Sequence, residues 1–275
     1  MIFVYDLPNW VLGLSIVSVV LALSFAGYFV FHRWCHSACT EENKSVAMGI
    51  LGVVATINSL LLAFSAVSVW ESFGNADQAV MAESNMVGAL ARDLAVYDLP
   101  ESRVVRGMLR QYVDMVVRVE WPEMREGRAS VDTWDHFDRM FAATGRIRAD
   151  SPTHAVLLPE IWARINDLLQ ARRTRLYTSQ ASVPGTLWAV VLVGTASCML
   201  TMYVLPKSGF NLAMIGRMAL SIGLVFFFII AMDRPFAGKE SISAHAFETT
   251  IENMDRWDAT IAPALRGPSS VESTR

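Results

Sequence analysis

Apolar residues in this chain are gathered into four long runs, and the polar residues lie between them. The first run covers about residues 10–31 and ends at His32-Arg33-Trp34, where a cation sits beside an interfacial aromatic. A short polar loop, Cys35 to Ser45, leads to a second run from Val46 to Trp70 that carries no charge. Roughly 25 apolar residues are enough to cross a bilayer core as a helix. So short a loop predicts an antiparallel pair. Past Glu71 the chain turns amphipathic and meets no proline before Pro100. One helix is therefore expected to leave the membrane and continue into a water-facing domain. The third run, about 184–204, opens at Pro184. After the turn Leu205-Pro206-Lys207-Ser208-Gly209, the fourth occupies about 211–232.

The middle third, 71–183, carries apolar residues at helical spacing throughout and no useful strand-like alternation. Val80, Val87, Leu90, Leu94 and Tyr97 share one face. Pro100 suits the first turn of a new helix, with Glu101 at its positive end. That helix presents Val105, Met108, Leu109, Tyr112 and Val116, and is expected to stop at Glu120-Trp121-Pro122. A third follows from about Val131 to Phe141, with Trp134, Phe137 and Phe141 inward. A fourth starts at Thr153 or Pro159 and runs to Tyr177, carrying Ile161, Trp162, Ile165, Leu168, Leu169 and Leu176. A tail, 233–275, holds an amphipathic piece from Ala246 to Ile261 and a polar end expected to be disordered. The organisation is thus a membrane hairpin (1–70), a helical domain (71–183), a second hairpin (184–232) and a tail. The fold class is all-α integral membrane, four transmembrane helices with a helical domain inserted between the second and third.

Composition agrees. The 275 residues are 53% hydrophobic and only 18% charged, against about 25% charged in soluble domains. A net charge of −3 and the lack of a basic arm argue against nucleic-acid binding. The N-terminus carries Asp6 and no early cation, which does not fit a cleaved secretory signal. Four crossings put both termini and the middle domain on one side. Arg164, Arg172, Arg173, Arg175, Arg234 and Lys239 flank membrane ends there, against Arg33, Lys44 and Lys207 in the loops. The positive-inside rule then makes that side cytoplasmic, in an inner or plasma membrane.

The motif search is empty for enzymes: no P-loop, no dinucleotide loop and no GxSxG elbow. His136 among Asp132, Asp135 and Asp138 reads as a solvated helix face. No cofactor is expected. His32, Cys35, His36 and Cys39 would share one helix face, yet four ligands on one helix close no undistorted tetrahedron. A plain interfacial loop is the better reading there, with a metal or a Cys35–Cys39 disulfide as alternatives. Three cysteines build no disulfide framework.

Val53, Ile57, Leu61, Phe64 and Ser68 form one stripe at helical spacing on the second membrane helix. Around an axis such a ring would gate by dewetting; otherwise the stripe packs against the first and third helices. Asn58 calls for a partner in hydrocarbon, from a neighbouring helix or a water-filled pore. Gly49 and Gly52 read as packing positions. Arg217, inside the fourth run, either draws anions into a vestibule or snorkels to the interface. Glu71 would form a carboxylate ring, which favours cations. Asp233 and Arg234 cap the fourth helix before Pro235, and Asp233 is expected to find a cation among Arg172, Arg173 and Arg175.

The stretches LLLAFSAVSVWESFGNADQAVMAES, QYVDMVVRVEWPEM, RRTRLYTSQASVPGTLWAVVLVG and MDRPFAG, spread from Leu60 to Gly238, resemble the bacterial bestrophin-like membrane family. Its remote relatives, the bestrophins, are pentameric ion channels, mostly for anions. The resemblance implies a homo-oligomer of five, in contact with membrane lipid and small inorganic ions, conducting chloride-like anions passively. It places an apolar neck near Val53, Ile57 and Leu61. It also matches Pro235-Phe236-Ala237-Gly238 to the turn that follows the family's fourth helix, with one residue inserted. The acidic calcium-sensing run expected after that turn is replaced by Lys239-Glu240-Ser241-Ile242-Ser243, so no calcium gating is expected. The alternative is a membrane-anchored sensor or interaction protein whose helical domain binds a partner.

Overall fold

A computed structural model describes residues 8–34 and 41–260, without the side chains of 41–43. The described residues are helical with no strand. The helices are α1 (Asn9–Trp34), α2 (Glu41–Tyr97), α3 (Pro100–Met115), α4 (Trp121–Arg125), α5 (Val131–Thr144), α6 (Pro152–Ser179), α7 (Gly185–Met202), α8 (Gly209–Met232) and α9 (His245–Thr260). Asn9–Trp34, Lys44–Tyr97, Gly185–Met202 and Gly209–Met232 are each long and apolar enough to cross a membrane.

The chain divides into two compact units, one reaching to Gly74 and resuming over Ala181–Ser241, the other Asn75–Gln180 with the segment from Ile242. The first contains α1, α7, α8 and the first part of α2. Here α1 and α8 pack closely because glycines open the seam. A Cβ on Gly223 would lie 3.1 Å from the Val17 Cα, and one on Gly216 3.2 Å from the Phe25 ring. Gly49 and Gly52, expected to serve packing, face nothing within 4 Å in the chain. The close approach belongs instead to glycines of α8 and α7, whose spacing is less conspicuous. Tyr28 donates to the Leu205 carbonyl at 3.3 Å. The Ser208 hydroxyl accepts from the Asn211 N–H at 3.1 Å, so α8 begins at Gly209, two residues before the expected start.

The second unit buries Val80, Val87, Leu90, Leu94 and Tyr97 of α2, and side chains of α2 bond to Tyr112 of α3, Arg175 of α6 and Thr250 of α9. Asp98 ends α2 in a left-handed conformation (φ 46°), and α3 follows with Pro100 in its first turn. The expected stop at Glu120-Trp121-Pro122 does not occur. Val116–Glu120 widens into a π-turn, in which the Trp121 N–H reaches the Val116 carbonyl, and α4 carries on to Arg125. The wider turn carries the chain through the position where a proline ring would otherwise clash with the preceding turn. Ser151 caps α6, so Pro159 lies inside that helix and does not start it. Trp134 and Phe141, expected inward, are half-buried, and only Phe137 is enclosed. The piece from Ala246, read as part of a tail, is α9, which anchors in this unit through a fully buried Phe247.

Candidate functional site

Helix α2 has two distinct faces at membrane depth. Asn58, Leu62, Ser65 and Val69 are buried. Leu62 and Val69 join an apolar cluster with Tyr28 of α1, Val191 and Met199 of α7, and Ile215 and Phe226 of α8. The stripe read from the sequence stays largely open in the single chain: Val53 is 62% exposed, Ile57 56% and Phe64 62%, and Ser68 is exposed too. Leu61 is half-buried. At about 100° per residue it is the member of the stripe nearest the packed face.

Asn58 is 3% exposed, and its Nδ2 lies 3.4 Å from the Thr195 hydroxyl of α7. Its Oδ1 has no hydrogen-bond partner and sits where a Cβ on Gly194 would be. The amide therefore bridges α2 to α7, and a side chain at position 194 would collide with it. An apolar groove of about 460 Å³ runs between the two helices at this contact, with Ile57, Asn58, Leu61, Val190, Val193 and Gly194 among its walls. Trp70 stacks on Phe228 at 6.5 Å. Glu71, the next residue, is exposed.

Arg217 is exposed on α8, about two turns after Gly209. Asp233 accepts from the Val183 N–H at 2.6 Å and so ties the end of α8 to the approach to α7. The cation expected among Arg172, Arg173 and Arg175 makes no ion pair with it among the described residues; Arg172 and Arg175 are sealed inside the second unit and Arg173 is exposed. Arg172 and Arg175 are therefore not interfacial anchors either. Beyond Asp233 and Arg234, Pro235, Phe236 and Ala237 are buried, and Gly238 takes φ +91°, which its lack of a Cβ permits. His32 is buried, with Nδ1 3.1 Å from the Tyr28 carbonyl and its ring against the Tyr28 ring. Cys35, His36 and Cys39 lie outside the described residues. His136 is not on a solvated face. It is 6% exposed and bonds the Met108 carbonyl at 2.8 Å, while Asp132, Asp135 and Asp138 are exposed.

The second unit encloses a charge cluster that the sequence reading missed. Arg172, Arg175, Glu83 and Glu120 are all fully buried. Glu120 meets Arg172 through one oxygen and Arg175 through the other, each at 2.6 Å. Arg175 Nε also meets Glu83 at 2.7 Å, and Tyr112 donates to Glu83. Arg172 donates to the Thr133 carbonyl at 3.1 Å and lies 4.1 Å from the centre of the Trp134 ring. The cluster thus joins α2, α3, the π-turn and α6, with two positive and two negative charges. Burial alone would lower the Arg175 pKa, but Glu83 and Glu120 outweigh it and raise it. Burial, with Glu83 adding to it, raises the Tyr112 pKa well above its ordinary value. A signal was present: Arg172 and Arg175 continue the Ile161-Ile165-Leu168 stripe, and Glu83 interrupts the Val80-Val87 one.

No curated protein matches this chain. Its fold is similar to the crystal structure of a membrane protein at a TM-score of 0.64, with 11% identity over 93% of this chain and 98% of that one. That likeness concerns the fold. A family model, the bestrophin-like domain, matches residues 18–247. With four membrane-length helices and a match over most of its length, the chain belongs to the bestrophin-like family and is a membrane protein.

Proposed function

We propose that this chain forms a homo-oligomeric channel, a pentamer by its likeness to bestrophins, that passes small inorganic anions passively along an axis lined by α2. The observation that carries the reading is the division of α2. One face is packed within the protomer, while Val53, Ile57 and Phe64 stay open beside it. In a ring those side chains would form an apolar neck that passes ions without binding them tightly. Anion preference is drawn from the family likeness and from the exposed Arg217 on α8, against the opposite pull of Glu71. The helical unit and both termini lie on the cytoplasmic side in this reading. Transport of this kind needs no catalytic group.

The uninterrupted course of α2 from Glu41 to Tyr97 supports a second reading, a membrane-anchored sensor whose helical unit binds a partner. The number of copies in the detergent-solubilised particle separates the two. A ring of five with an axial cavity supports the channel; a monomer or dimer supports the sensor.

A further inference from the structure

We infer that the helical unit binds one small monovalent anion, chloride in the cell, in a cavity between α2, α3 and α9. The cavity is lined by Gly88, Ala91 and Arg92 of α2, Arg106 of α3, and Asn253 and Trp257 of α9, among others. Its room of about 30 Å³ exceeds the ~10–15 Å³ that a water needs. That suits a monatomic ion and is too small for a phosphate ester or a carboxylate metabolite.

The lining is rich in donors. The Trp257 indole N–H is buried and has no acceptor. An unpaired buried donor costs roughly 1–3 kcal/mol, so an occupant that accepts is favoured. Arg92 makes no ion pair among the described residues, and its guanidinium folds back over Gly88, 3.9 Å from where a Cβ would stand. Arg106 is engaged with the Ala91 carbonyl and with Asp258. No carboxylate lines the cavity among the described residues.

A water would satisfy the indole but its two protons would need acceptors, and among the lining side chains only Thr250 and Asn253 carry an oxygen. The Thr250 hydroxyl there is already engaged with Ser84 and the Ala246 carbonyl. An anion needs only donors. Gly88 keeps the space open, since a methyl group there would fit without a clash and fill it. All of the lining residues belong to the helical unit, so binding there does not require that the protein conducts.

The test uses full-length protein in detergent, melted in sodium chloride and in sodium gluconate at equal ionic strength. Chloride is expected to raise the wild-type melting temperature saturably, by about 2–4 °C. Trp257→Phe keeps the ring and removes the N–H, and Arg92→Gln removes the charge. Both should melt as wild type does in gluconate and lose at least half of the chloride shift. No saturable shift in wild type, or a full shift in either variant, overturns the site. Wild-type crystals grown in bromide give a readout independent of the variants. An anomalous peak between Arg92 and Trp257 supports the site, and an ordered water without a peak contradicts it.

Discussion

Glu120 Oε2 accepts from Arg175 Nη2 at 2.6 Å, and neither side chain reaches solvent. Because the other oxygen of Glu120 holds Arg172, one carboxylate bridges two buried guanidinium groups, and Glu83 supplies the second negative charge. Glu120→Gln leaves Glu83 alone with both. Breaking a buried pair typically costs about 3–5 kcal/mol, and the full-length protein is expected to melt well below wild type. Adding Arg172→Met removes the surplus charge and should restore part of the loss. A Glu120→Gln single variant as stable as wild type would sink the assignment.

Tyr112 gives that cluster a pH signature. Its pKa is raised above 10.0, by burial first and then by Glu83. The folded state therefore keeps the phenol protonated after the unfolded chain has begun to ionise. Its contribution is complete below about pH 10 and is lost progressively as pH rises further toward the folded value. Melting temperatures measured from pH 8 to 11 should fall at the alkaline end, and less steeply in Tyr112→Phe. Identical slopes would show that Tyr112 does not titrate with unfolding.

Gly194 and Gly223 can be read the same way within the membrane unit. A methyl group on Gly194 would overlap the Asn58 amide, whereas one on Gly223 meets the Val17 backbone at 3.1 Å. Backbone cannot rotate away as a side chain can. Overpacking of this kind costs about 1–3 kcal/mol. Gly223→Ala should therefore lower the melting temperature, and Gly194→Ala should be rescued in part by Asn58→Ala. Lack of any rescue would separate Asn58 from α7.

Burial, rather than surface charge, holds α9. Its pairs Arg106–Asp258 and Arg110–Asp255 are part-exposed, and such pairs contribute about 0–1 kcal/mol. Phe247 is fully enclosed and faces Trp121 edge-on at 5.9 Å; truncating such a ring costs about 3–5 kcal/mol. Limited proteolysis should cleave α9 early in Phe247→Ala and at the wild-type rate in Arg110→Ala. The reverse order would contradict this division.

Much of the fold was legible in the sequence, because it follows from local composition. The uncharged run from Val46 to Trp70 and the lack of proline before Pro100 announce α2, and Pro100 lies at a real helix start. The π-turn was not legible, since Trp121-Pro122 ordinarily ends a helix and here the turn widens. The charge cluster was hidden by distance along the chain: Glu120 is 52 residues from Arg172, and Glu83 is 92 from Arg175. Arginines near the start of a membrane run read as interfacial anchors until a fold supplies their carboxylates. Of the two partners open to Asn58 in the sequence, a neighbouring helix is the one the fold supplies, through Thr195 of α7. Leu61 falls between them, because it sits at the edge of the stripe.

Single-channel recording in planar bilayers tests the proposed function most directly. Purified wild-type protein in a chloride gradient is expected to give unitary currents that reverse near the chloride potential. Ile57→Ala should change their amplitude or open probability. No unitary currents from intact protein, or currents that Ile57→Ala leaves untouched, would contradict a pore lined by α2.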